Sequence, residues 1–414
     1  MALLGGTHLI LAIISACSSL NISRHRSYTY DFLHQGNETI KYDSRITLGN
    51  NSVLYALCNG EKLPKEMNCD VIRETPTLLS SAGLKQMCKL TLIADANKRL
   101  VTEEPFMSLN SFGPNRVIIV WGQTDGKGRY GVQYIWYTIL DMLTCVAVDL
   151  DFFFDSDRFF VMSNPIVYDN AFDVIITNKA ICGSEQCRLS YDRRGKRIGQ
   201  PAPFPSDYQF IETTPVMPFS NSKGFYQVGI DVERRRLGVA HLSPEGVRRD
   251  FVSSPINQFT SLLGSISSVH ELMSVCWPEV RSVWPERLQI VCIQFDAEAN
   301  VMIDAEFQVT ESVKRTAVHN SADGGILLVA MECSELVCER FSIVDVRHDG
   351  YRREPFWMDL GIKLNDPNDA NDVNIDVSES ADEICFIFSR VRVESRQQAD
   401  AKVSLQLYTI CVAK

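Results

Sequence analysis

Cys182-Gly-Ser-Glu-Gln-Cys187 and Cys333-Ser-Glu-Leu-Val-Cys338 have the same form. In each, a β-rich run reaches a cysteine, four residues turn the chain, and a second cysteine opens the next β-rich run. A disulfide clamped across a strand-to-strand hairpin has this pattern, and its recurrence predicts one supersecondary unit used repeatedly. Outward from the two hairpins, alternating or β-branched runs of roughly 5 to 10 residues recur almost to Lys414, while helical periodicity is scarce. The chain therefore reads as all-β.

Aligned by their turns, the runs form a unit: a short strand ending in small polar residues, two stronger strands, and a more polar fourth. Seven units are expected. The first takes 44–48, 52–57, 88–93 and 98–103, and the second 106–110, 116–122, 132–140 and 144–150. The third takes 159–164, 173–178, 187–191 and 196–199; the fourth runs from 208 through 225–232 and 236–242 to 247–252. The fifth takes 259–265, 271–277, 288–295 and 301–309, the sixth 316–320, 326–331, 338–346 and 351–358. The seventh has only 373–377, 383–389 and 402–412, and a spare strand, Tyr28 to Leu33, precedes the first unit. Pairing that strand into the last unit closes a ring and removes a sheet edge. In this the chain resembles a seven-bladed β-propeller, a single domain over 19–414; six or eight blades, or two packed β-sandwich domains, are the alternatives. No WD dipeptide, kelch glycine pair or sialidase-type Asp box recurs to name a family.

Residues 1–18 carry the apolar run Leu9 to Ile14 followed by small residues, the pattern of a signal peptide without its basic start. No later run is long enough to span a membrane, so a soluble, secreted, extracellular protein is expected. Removing the leader takes Cys17 from the 13 cysteines and leaves an even number, as a disulfide framework requires. Asn21, Asn37 and Asn50 open glycosylation triplets and agree with that compartment.

On this layout Cys276 with Cys292, and Cys385 with Cys411, join the second and third strands of their units, as do Cys182 with Cys187 and Cys333 with Cys338. Cys58 with Cys88 would repeat the theme and leave Cys69 for Cys145. Three pairings of Cys58, Cys69, Cys88 and Cys145 satisfy the sequence.

Catalytic signatures are sparse. Gly126-Lys-Gly-Arg-Tyr-Gly131 spells GxGxxG, but a dinucleotide site needs a following helix, and Val132 to Leu140 reads as a strand. Six scattered histidines beyond His8 show no zinc-ligand spacing, and no nucleophile elbow occurs. No cofactor or metal is expected; the acidic run Asn365 to Asp372 lacks the spacing of a calcium loop. Asp173, Asp323, Asp382 and Glu383 lie near inner strands, where a propeller can gather carboxylates at its channel for glycoside hydrolysis.

Charge is unevenly placed. The net charge is −10, yet 188–249 holds 11 Lys or Arg against 6 acids, including Arg193, Arg194, Lys196, Arg197, Arg234, Arg235 and Arg236. Such a basic sector suits an acidic glycan or an acidic extracellular protein; the overall acidity disfavours nucleic acid. The functional expectation is a secreted, disulfide-stabilised binding scaffold, with a glycosidase-like hydrolase or a structural extracellular component as alternatives.

Overall fold

The structure is a computed structural model. It describes residues 22–33, 39–47, 53–61, 66–75, 83–93, 106–113, 115–124, 133–149, 153–155, 165–168, 170–177, 179–184, 186–205, 210–211, 217–218, 224–231, 233–243, 245–253, 265–269, 272–283, 286–308, 312–333, 338–347, 356–364, 373–394 and 402–414. The glycosylation triplets at Asn21, Asn37 and Asn50, the leader, Gly126 to Gly131 and Asn365 to Asp372 lie outside them.

The strands form seven antiparallel sheets. Blade 1 is β2 (Thr39–Thr47), β3 (Val53–Glu61), β4 (Glu66–Thr75) and β5 (Gly83–Ile93). Blade 2 is β6 (Phe106–Ser111), β7 (Arg116–Thr124) and β8 (Gln133–Asp141), with β9 (Val146–Asp149) and β10 (Phe153–Asp155) both paired to β8. Blade 3 is β11 (Ile166–Val167), β12 (Ala171–Thr177), β13 (Gln186–Asp192) and β14 (Arg197–Pro203). In blade 4 the inner strand is split into β15 (Phe210–Ile211) and β16 (Met217–Pro218), followed by β17 (Phe225–Asp231), β18 (Leu237–Ser243) and β19 (Gly246–Phe251). Blade 5 is β20 (Ser265–Val269), β21 (Leu272–Val283), β22 (Glu286–Phe295) and β23 (Val301–Gln308); blade 6 is β24 (Ser312–Asn320), β25 (Ile326–Cys333), β26 (Cys338–Val346) and β27 (Phe356–Leu364). Blade 7 is β28 (Val373–Glu379), β29 (Glu383–Glu394), β30 (Lys402–Ala413) and, as its outer strand, β1 (Ile22–Leu33). The N-terminal strand thus closes the last blade, in unbroken register from Arg24 opposite Cys411 to Leu33 opposite Lys402.

Packing identifies the ring. Successive side chains of a strand point to opposite faces of its sheet. In β7, Val117, Ile119 and Trp121 pack on blade 1, while Ile118 and Val120 pack on blade 3. Both faces of a middle strand are therefore buried, which is why β17 and β25 are apolar or small almost throughout and buried at every position. An outer strand such as β14 is largely exposed and carries no run of buried apolar residues. Apolar clusters join blades 1 and 2, 2 and 3, 3 and 4, 4 and 5, 5 and 6, and 6 and 7. A seventh, with Tyr55 and Ile72 against Ile387, Leu405 and Leu407, joins blade 7 to blade 1. Two sandwiches would leave one face of each sheet open to solvent; here the chain is a seven-bladed β-propeller.

Three expectations change. Blade 1 contains β4, which the sequence reading passed over, and its fourth strand is β5, not 98–103. Consequently Cys58 stands opposite Cys69 in the β3–β4 ladder, and Cys69 is disulfide-bonded. Cys88, on outer strand β5, bonds instead to Cys145 in the β8–β9 turn of the next blade. The pairing of Cys58 with Cys88 is therefore replaced, because Cys88 faces blade 2 and not the middle of its own sheet. Cys276–Cys292, Cys333–Cys338 and Cys385–Cys411 are each bonded between residues opposite one another on second and third strands. Cys182–Cys187 is bonded too, but Cys182 ends a helical turn, Lys179–Cys182, after β12 and not a strand. The two Cys-x4-Cys motifs thus close different local structures.

Because inner strands run in one direction, connections sort onto two faces. First-to-second and third-to-fourth strand connections lie on one, here the turn face. Second-to-third and blade-to-blade connections lie on the other, the loop face.

Candidate functional site

One polar surface feature among the described residues is the β13–β14 turn of blade 3. Asp192, the last residue of β13, accepts hydrogen bonds on Oδ1 from the backbone amides of Arg194 (2.8 Å) and Lys196 (2.9 Å). Its own amide donates to the Lys196 carbonyl, and the Gly195 amide donates back to the Asp192 carbonyl. Gly195 takes φ +78°, the left-handed residue that lets such a short turn match the strand twist. The Lys196 and Arg194 amides hold the Asp192 carboxyl below its ordinary pKa, so it stays ionised except in strong acid.

A neighbouring blade braces this turn. Arg116, at the start of β7, donates from a terminal guanidinium nitrogen to the Arg193 carbonyl at 2.7 Å, while its Nε lies 3.3 Å from Asp141 Oδ2. The side chains of Arg193, Arg194 and Lys196 are exposed and that of Arg197 is half-buried. None of the four forms an ion pair among the described residues, and Asp192 directs one oxygen to backbone amides. The result is four cations within five residues on a turn whose backbone is already fixed.

The other predicted basic group is elsewhere. Arg234, Arg235 and Arg236 belong to the β17–β18 connection, a second-to-third strand connection on the loop face. The expected single basic sector is thus split between opposite faces, since alternate connections of an antiparallel sheet emerge at opposite ends. Arg234 lies over the Phe251 ring at 4.6 Å, and Arg235 takes φ +51°.

The candidate carboxylates are distributed over three blades. Asp173 is buried in blade 3, accepts from the Tyr168 hydroxyl at 3.2 Å and lies 3.8 Å from Arg188. Burial, together with the Asp173 charge, pushes the Tyr168 hydroxyl up to about 12. Asp323 caps the Gly325 amide in the β24–β25 turn of blade 6. Asp382 and Glu383 sit at the β28–β29 turn of blade 7, where the Lys414 amide donates to the Asp382 carbonyl. Glu383, Cys385 and Cys411 come close enough for a metal, but the two cysteines are bonded to each other and offer no thiolate.

The sequence reading missed Arg116 and the capping role of Asp192. A signal for the cap was present: Asp141 and Asp192 end a third strand and Asp296 directly follows one, and all accept two backbone amides on Oδ1. Nothing local marks Arg116, which acts on a turn in the next blade.

No protein-family model and no curated protein matches the sequence. Solved structures similar to it include an α-L-arabinanase of Penicillium chrysogenum complexed with arabinobiose, at 8% identity and a TM-score of 0.43, covering 93% of this chain and 98% of that one. A GH93 α-L-arabinofuranosidase of Fusarium graminearum with arabinobiose gives 8% identity and a TM-score of 0.41, covering 92% and 97%. The NanB sialidase of Streptococcus pneumoniae gives 8% identity and a TM-score of 0.42, covering 95% and 72%. Likeness at this level does not bear on substrate; the fold rests on the closed ring of seven sheets.

Proposed function

We propose that the chain is a secreted, disulfide-stapled β-propeller that binds an acidic extracellular glycan through the blade 3 turn. The carrying observation is the set of four cations, Arg193, Arg194, Lys196 and Arg197, without ion-pair partners on a turn fixed by Asp192 and Arg116. A pre-ordered cationic turn recovers more of its Coulomb attraction as affinity, because little backbone entropy is lost on binding. Residues 1–18 would direct secretion, and Asn21, Asn37 and Asn50 would carry glycans. Retention on a heparin column tests the reading. The variant with Arg193→Glu and Arg194→Glu is expected to lose affinity about tenfold, and that with Arg234→Glu and Arg235→Glu far less. No retention of the unmodified protein, or equal losses in the two variants, overturns it.

Glycoside hydrolysis is the second reading, the activity of the arabinanase, arabinofuranosidase and sialidase named above. Asp323 and Asp382 occupy the first-to-second strand turns of adjacent blades 6 and 7, and Asp173 lies near the start of the second strand of blade 3, all toward the turn face. Assay of the purified chain on arabinan and on sialosides, with Asp173→Asn, Asp323→Asn and Asp382→Asn, decides. Turnover lost in any one of these variants returns that residue to the site; turnover indifferent to all three removes them.

A further inference from the structure

Blade 4 carries a second feature on the turn face. At the end of its β18–β19 hairpin, His241, Ser243, Glu245, Gly246, Val247 and Arg248 line a cavity of about 360 Å³. In the ladder His241 stands opposite Arg248 and Ser243 opposite Gly246. Asp250, two residues beyond Arg248, shares its face and stands opposite Val239, which is buried against blade 5. Asp250 Oδ2 lies 3.0 Å from His241 Nε2 and 2.9 Å from the Arg248 guanidinium, so one carboxylate orients both groups. Gly246 has φ +135°, and a Cβ there would meet open space. The missing side chain leaves the cavity unfilled opposite Ser243.

We infer that this cavity binds a neutral, hydroxyl-rich ligand the size of one sugar ring, a monosaccharide or the terminal residue of a neutral glycan. The charges exclude the other classes. An anion would meet Asp250 and Glu245, a cation would meet Arg248, and an apolar group would strip water from all three. A hydroxyl both donates and accepts, and the lining offers both: donors on the Arg248 guanidinium, and acceptors on the Glu245 carboxylate, which also holds the Ser243 hydroxyl, and on the Ser243 oxygen. Burial, then the Arg248 charge, holds the His241 pKa below its ordinary value despite Asp250, so at neutral pH the ring is uncharged with one donor and one acceptor nitrogen. The volume lies at the lower end for small-molecule sites, which suits one ring and not a chain of them.

The cavity does not depend on the polyanion reading, and the experiment separates them. The full chain is titrated with D-galactose, D-mannose and N-acetyl-D-glucosamine by saturation-transfer NMR, with sodium sulfate and magnesium chloride as parallel probes. At least one sugar is expected to bind with a Kd on the order of a millimolar. Arg248→Ala, at a side chain 66% exposed, is expected to weaken binding about tenfold. Ser243→Leu, which fills the cavity, is expected to abolish it, and thermal unfolding checks that both variants fold. The variant with Arg193→Glu and Arg194→Glu keeps the sugar. Sulfate or magnesium binding in place of sugar, no sugar binding, or sugar binding unchanged in both cavity variants overturns the inference.

Discussion

On the turn face the chain reverses in short hydrogen-bonded turns, with Asp141, Asp192 and Asp296 each holding two backbone amides. On the loop face the blade-to-blade connections include 94–105, 156–165 and 252–264, and both Cys-x4-Cys bridges close second-to-third strand connections there. The same four-stranded sheet thus ends in two ways. A carboxylate satisfies a short turn from within, because amides left unpaired near a strand end cost free energy. Covalent closure occurs at two loop-face connections, Cys182–Cys187 and Cys333–Cys338, while a third, β17–β18, is capped by a carboxylate as on the turn face, Asp231 Oδ1 accepting from the Arg234 amide at 2.6 Å. Cys88–Cys145 departs from both patterns: it ties the outer strand of one blade to a turn-face turn of the next.

The largest test of this contrast is covalent. For ends 57, 26 and 5 residues apart, the chain-entropy relation gives about 4 kcal/mol for Cys88–Cys145, about 3.5 for Cys385–Cys411 and about 2 for Cys182–Cys187. Denaturant unfolding of paired Ser variants is expected to rank them in that order; equal losses would break the distinction between inter-blade and hairpin bridges.

A smaller effect is expected where blades 6 and 7 meet on the turn face. Glu379, 11% exposed at its side chain, accepts from Lys414 Nζ at 2.6 Å and the Ala322 amide at 2.9 Å, with His319 Nε2 at 3.1 Å. Glu379→Ala should cost about 2 kcal/mol. Burial pushes the Glu379 pKa up, but the hydrogen bonds from Lys414, His319 and Ala322 together bring it below the ordinary 4.5. A depressed carboxyl pKa contributes stability in full above the unfolded value, and the contribution is lost as pH falls through the folded one. Stability measured downward from pH 5 should therefore fall less steeply in Glu379→Gln than in the unmodified chain; parallel curves would refute the linkage.

Arg116→Ala removes the brace on the blade 3 turn and should cost about 1 kcal/mol, seen as a lower denaturant midpoint with an unchanged slope. It should also weaken heparin retention without removing any of the four cations. The smallest pair tests turn geometry alone. Gly195→Ala should destabilise by about 1 kcal/mol and Ala299→Gly, at φ +68°, should stabilise by up to about as much. Matching signs in thermal unfolding would show that the two Asp-capped turns are not equivalent.

Much of the fold was legible because burial on both sides of a middle strand leaves a local mark. Val117 to Trp121 and Ile326 to Met331 are apolar runs of strand length. Glu66 to Thr75 was missed because its middle carries Asn68, Asp70 and Arg73, which dilute the strand pattern. That omission alone misdirected the pairing of Cys69 and Cys88. Of the candidate site, the cations at 193–197 were visible as composition; their bracing by Arg116, distant in the chain, was not.

From the sequence alone came the all-β class, the order of the units, the closing role of the N-terminal strand and the hairpin cysteines. These follow from alternation, turn residues and short spacings, all of which act within one strand or between chain neighbours. Only the tertiary structure joined Cys88 to Cys145, sent Arg193 and Arg234 to opposite faces, and set a cavity beside His241, Arg248 and Asp250 where blade 4 faces blade 5. Each depends on which end of a sheet a connection leaves and which face meets the next blade, and packing between blades decides that.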